Sequence, residues 1–124
     1  MAAVRAKDKH AWVALFAEDG WVEDPVGPSG FDPEGRGHHG AAAIGAFWDA
    51  AIAQTESIEF LVDDRIDCGD EAVNIGTIRT TIGGGLIDAE GVFVYRAAPG
   101  GERLQSLRAF WEVDRAMKTF RTTD

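Results

Sequence analysis

After Thr55 the apolar residues stop recurring every three or four positions and begin to recur every second one. Ile58, Phe60 and Val62 alternate with Glu59 and Asp63, with Leu61 the apolar exception. Side chains of an extended chain point alternately to two faces, so this pattern describes a strand with one buried face. Further segments of strand character follow at Ala72 to Ile82, Leu86 to Ala97 and Arg103 to Val113. The breaks between them are Cys68-Gly69-Asp70, Gly83-Gly84-Gly85 and Pro99-Gly100-Gly101, all made of turn formers. Links this short join antiparallel neighbours, because a parallel pair needs a longer crossover. The second half of the chain is therefore read as a four-strand meander that must bury its apolar face against something.

The first half supplies the helices. A short one is predicted near Asp8 to Ala17, with Asp8 as N-cap and Gly20 as the stop. Trp12, Leu15 and Phe16 share one face of it. Trp21-Val22-Glu23-Asp24 reads as a short strand running into Pro25. Val26 to His38 is a long loop, broken by Gly27, Pro28, Gly30, Pro33, Gly35 and Gly37. A second helix follows near Gly40 to Gln54, where Ile44, Phe47, Trp48 and Ala51 recur at helical spacing and alanines supply propensity. Helices first and a meander second is an α+β layout. Its apolar pocket candidates are Trp21, Phe47, Trp48, Phe60, Phe93, Phe110 and Trp111.

A length of 124 residues suits one domain, and 45% hydrophobic residues suffice for a core. The net charge of −9 argues against nucleic acid and anionic membranes as partners. Cys68 is the only cysteine, which suits a reducing cytoplasm. No window approaches the ~18 apolar residues of a membrane span, and the N-terminus does not read as a signal peptide.

The run Leu15-Phe16-Ala17-Glu18-Asp19-Gly20-Trp21-Val22-Glu23-Asp24-Pro25-Val26-Gly27 resembles the ketosteroid isomerases of the nuclear-transport-factor-2-like superfamily. The likeness continues at Gly40 to Trp48, Val92-Phe93-Val94-Tyr95 and Leu107-Arg108-Ala109-Phe110-Trp111. Its most specific part is Val-Glu-Asp-Pro-Val-Gly. The resemblance implies a cystatin-like roll over residues 1–124: a cone-shaped antiparallel sheet wrapped around helices, enclosing an apolar pocket. It implies a steroid or similar flat apolar ketone as ligand, no cofactor or metal, and a homodimer built through the outer sheet face. Asp24 falls on the family's general base, which moves a proton between two carbons of a 3-oxo-Δ5-steroid. Ketosteroid isomerase is itself a standard example of an aspartate base working with a two-donor oxyanion site.

Two departures accompany this resemblance. The family's dienolate-stabilising tyrosine falls just before Met1, so most of the family's first helix is expected to be missing. Its second donor, an aspartate on a late strand, falls on Gly91. Asp88 and Glu90 are nearby but belong to the opposite strand face by alternation. Loss of one such donor typically costs about 2.7–4 kcal/mol of transition-state stabilisation. A non-catalytic steroid-binding protein, a polyketide cyclase and an epoxide hydrolase-like relative therefore stand beside the isomerase as alternatives.

Each singled-out residue also has a plainer reading. Asp24 suits a solvent-facing carboxylate before a turn proline. His38-His39 lacks the further ligands that a metal needs and reads as the approach to a helix. Trp48 and Trp111 suit core or pocket wall alike. Trp111 is preferred to Phe110 for the wall because it shares parity with Leu107, Ala109 and Val113. The Gly83–Gly85 run lacks the Lys-Ser/Thr of a phosphate loop and reads as a hairpin. His10 and Cys68 read as surface bystanders.

Overall fold

The computed structural model describes residues 2–123. In chain order its elements are α1 (Ala2–Arg5), α2 (Lys9–Ala14), β1 (Phe16–Glu23), β2 (His38–His39), α3 (Gly40–Phe47), β3 (Ser57–Cys68), β4 (Glu71–Ile82), β5 (Gly85–Ala97), β6 (Leu104–Phe110), α4 (Val113–Met117) and β7 (Arg121–Thr122). The strands form one sheet in the order β2-β1-β6-β5-β4-β3, and β7 pairs with the start of β5. The expected meander is β3 to β6, antiparallel throughout. The Gly83–Gly84 link has positive φ at both residues (59° and 75°), as a two-residue hairpin turn matching the strand twist requires. The sheet as a whole is mixed, because β1 runs parallel to β6.

The first helix is shorter than its periodicity suggests. The side chain of Asp8 accepts from Ala11 N at 3.0 Å and caps α2. The chain then leaves the helix after Ala14, and Leu104 N donates to Leu15 O at 2.7 Å to bring in β6. Phe16 is thus a strand residue, buried beneath Trp12 in edge contact at 5.3 Å. Gly20 is no helix stop. It lies within β1, where a Cβ would stand 3.1–3.2 Å from the carbonyls of Gln105 and Leu104.

The second helix matches its pattern over α3, then widens into a π-helical turn at Trp48–Ile52, where Ala53 N donates to Trp48 O at 2.9 Å. Ile44, Phe47, Trp48 and Ile52 face the core with Val4, Trp12, Phe16 and Val22. Lys7 ties the N-terminal segment to this helix. Its Nζ donates to Ile52 O (2.7 Å), Thr55 O (2.6 Å) and Thr55 Oγ1 (2.6 Å).

Two expectations about the ends of elements are corrected. His38, the expected end of the loop, instead opens a short strand with His39 that leads directly into α3: Val22 faces His38 and Trp21 faces His39. The last long strand stops at Phe110, and Val113 opens α4 instead. Phe120 then packs on Gly85, where a Cβ would come within 2.5 Å of its ring.

Candidate active site

The helices cover the inner face of the sheet only in part, leaving a cavity of about 390 Å³. That lies within the roughly 300–1,000 Å³ typical of small-molecule sites. Its walls come from α1, α2, α3 and the adjoining turn, the inner faces of β3 to β6, the 29–31 loop and α4. Most of the lining is aliphatic or aromatic.

Asp24 enters this cavity from the end of β1. Val22, fully buried, sets the inward parity, and Asp24 is two residues on. The strand end is held on one side by β6, where Glu23 lies opposite Arg108 and pairs with its guanidinium. Just beyond, Val26 N donates to Ala109 O at 2.8 Å. Asp24 as a residue is half-buried and lines the cavity, and its carboxyl is enclosed by protein. Burial therefore pushes the carboxyl up to about 6, opposed by one hydrogen bond from Trp111. That bond runs from Trp111 Nε1 to Asp24 Oδ1 at 2.6 Å.

The expected pocket residues divide. Phe47, Phe60 and Trp111 are on the wall with Asp24. Trp21, Trp48 and Phe93 are not among the lining residues. Trp21 has the parity opposite to Val22 and stacks on His39 at 5.5 Å. Trp48 is buried against Trp12 at 5.4 Å, one layer behind the wall. Phe93 is buried edge-on to Phe60 at 6.4 Å. Phe110 is 41% exposed, beneath the Arg108 guanidinium. Sequence reasoning missed Phe31, Thr80, Ile87 and Met117, all on the wall. For the strand residues the missing signal was register: once Ile58, Thr80 and Ile87 are aligned across β3, β4 and β5, they share one face.

The departures acquire a structural cause. At Gly91 a Cβ would come within 2.1 Å of Phe110 O and 3.1 Å of Trp111 Cβ. The β6 backbone closes this position, so no acidic side chain fits there. Glu90 turns outward towards Arg115 at 3.6 Å. Asp88 also turns outward. Hydrogen bonding to Arg79 holds its carboxyl below the usual range, with Arg121 adding to the effect. The single tyrosine, Tyr95, is off the wall, and burial, then the charge of Asp24, pushes its phenol up to about 12. Among the described residues no group of three or more His, Cys, Asp or Glu is arranged to hold a metal ion, and no helix is long and apolar enough to cross a membrane.

A mixed sheet wrapped on helices, with one carboxylic acid in an apolar cavity, defines a class of small-molecule-binding α+β domains whose members share a fold and differ in chemistry. Within that class, a SnoaL-like domain profile matches residues 1–107, and the chain belongs to this SnoaL-like family of the nuclear-transport-factor-2-like superfamily. Curated proteins yield no match. Solved structures do. RV0760c from Mycobacterium tuberculosis is 33% identical, with a TM-score of 0.84 over 91% of this chain and 85% of its own. The same protein is also known in complex with estradiol-17beta-hemisuccinate. A Δ5-3-ketosteroid isomerase from Mycobacterium sp. is 30% identical, with a TM-score of 0.83 over 98% of this chain and 91% of its own. A computationally designed 17-OHP binder is 31% identical, with a TM-score of 0.85 over 98% and 90% of the two chains.

Proposed function

We propose that this protein binds a 3-oxo-Δ5-steroid, or a similarly flat apolar ketone, and moves its double bond into conjugation. Asp24 takes the proton from the carbon between ketone and alkene and returns it to the far alkene carbon, so the reaction needs no cofactor. The observation that carries this reading is the Asp24 carboxyl inside an apolar cavity, raised by burial to about 6. A base with that pKa is ionised at neutral pH yet more basic than an aspartate in water. Likeness to a mycobacterial ketosteroid isomerase supports the choice of substrate.

A second reading is favoured by one specific feature. Apart from Asp24, the described residues of the wall include no tyrosine and no acid, so a dienolate oxygen lacks the family's donors. A steroid-binding protein needs neither. The test is the ultraviolet absorbance of the conjugated product, followed with the wild type and Asp24→Asn. Turnover abolished by the substitution supports the isomerase. Steroid binding without turnover in the wild type supports the binder. Turnover unchanged in Asp24→Asn refutes the role of Asp24.

The same reading assigns the protein to the cytoplasm, consistent with its lone, exposed and unpaired Cys68. It also pairs two copies through the outer sheet face. Ile66, Val73 and Val94 form one row across that face, and Ile75, Val92 and Phe110 a second. Val92→Arg should convert a dimer to a monomer in light scattering. A wild type that is monomeric at all concentrations would refute the pairing.

A further inference from the structure

Two polar side-chain groups of the cavity wall have no hydrogen-bond partner among the described residues: the indole Nε1 of Trp12, which is fully buried in the core, and the hydroxyl of Thr80. Asp24 is held by Trp111. Ser29 Oγ accepts from Phe31 N at 3.3 Å. Thr55 Oγ1 donates to Ile52 O at 2.7 Å and accepts from Lys7 Nζ. Thr80 is different. It lines the cavity between Ile78 and Ile82 on the inner face of β4, and its hydroxyl takes part in no hydrogen bond with any described residue.

The register sets the scale of the separation between Thr80 and the Trp111 that holds Asp24. Trp111 lies beside Gly91, and Gly91 faces Gly76 across β5 and β4. Thr80 faces Ile87, which is further along β5 towards its start. Four residues of strand and one inter-strand step put Thr80 about 14 Å from the Trp111 end of the cavity. With a hydrogen bond of about 3 Å at Thr80 and a contact of about 3–3.5 Å from Asp24 to the carbon it deprotonates, the two ligand atoms are roughly 8–10 Å apart. Apolar wall fills the interval: Ile78 and Ala89, with Phe60 alongside.

We propose that Thr80 is a specificity-determining residue that hydrogen-bonds an oxygen at the far end of the ligand, opposite the group that meets Asp24. The ligand is then a rigid apolar body with one oxygen at each end, of the length of a fused four-ring skeleton. A steroid ketone with a hydroxyl or second ketone on its five-membered ring has this form. The assignment rests on the steroid reading given above and narrows it.

Binding, rather than turnover, provides the test. Dissociation constants are measured by tryptophan fluorescence for two 3-oxo-Δ4-steroids, one with a hydroxyl on the five-membered ring and one without. The proteins are the wild type, Thr80→Val and Thr80→Ser. Valine keeps the shape and removes the hydroxyl, while serine keeps the hydroxyl. Comparing ratios cancels the difference in hydrophobicity between the steroids. A net hydrogen bond of the usual size corresponds to about a fivefold effect. The expected result is a ratio of the two constants that shifts about fivefold against the hydroxylated steroid in Thr80→Val and is retained in Thr80→Ser. The same ratio in wild type and Thr80→Val overturns the assignment and leaves the steroid reading standing. Failure of either steroid to bind the wild type overturns the steroid reading and the assignment with it.

Discussion

Asp24→Asn has a consequence that does not depend on the identity of the ligand. In the unfolded chain the carboxyl titrates near 3.8, and in the folded protein burial raises it to about 6. Between those values the folded form holds a proton that the unfolded form has released. Stability therefore falls as pH rises from about 3.8 to about 6 and levels off above. The difference corresponds to about 3 kcal/mol lost by the wild type at neutral pH. Asparagine cannot ionise, and its amide oxygen can still accept from Trp111 Nε1. Urea unfolding of both proteins at pH 4 and pH 8 should show the variant gaining about 2.5 kcal/mol on the wild type between the two conditions, because the unfolded carboxyl is already more than half ionised at pH 4. A gap between the proteins that stays constant within about 1 kcal/mol would mean that Asp24 is solvated, and the burial argument would fail.

Three other perturbations follow from the same geometry. Trp111→Phe removes the one hydrogen bond that opposes desolvation, so the Asp24 carboxyl should titrate higher still, as read by carboxyl carbon NMR; a downward move would contradict the structure. Lys7→Met leaves three acceptors at the end of the helix without their ammonium and should cost about 1–3 kcal/mol in thermal or denaturant unfolding, with an unchanged midpoint as the contrary result. Gly91→Asp should not restore a second donor. It should lower stability by about 1–3 kcal/mol or more, because its Cβ meets Phe110 O, and a stable variant with faster turnover would refute that account.

The family resemblance explains why Asp24 was easier to find than the residues around it. Asp24 lies in a continuous motif, and the strand that carries it ends at the adjacent Glu23. The cavity wall has no such motif. It gathers Val4 and Met117, from opposite ends of the chain, around strand residues whose neighbours are set by register. Trp21 and Phe47 look equally suited to a pocket as apolar aromatics. Only the pairing of Trp21 with His39 turns one away while the other faces inward.

Local features were legible from the residues alone: period-two strands, glycine turns at Gly69, Gly83–Gly84 and Gly100–Gly101, a capped helix at Asp8, and the α+β order. Each arises from residues a few positions apart, through alternation, turn conformation and capping. Other features belong to the closed sheet. There β1 runs parallel to β6, the Phe110 backbone closes the space at Gly91, and Trp111 reaches Asp24. Thr80 faces the same cavity as that pair for the same reason. These features join residues far apart in the chain, 87 positions in the Asp24–Trp111 bond. Such contacts exist only once the sheet has closed over the helices, because packing and register, not local preference, bring the partners together.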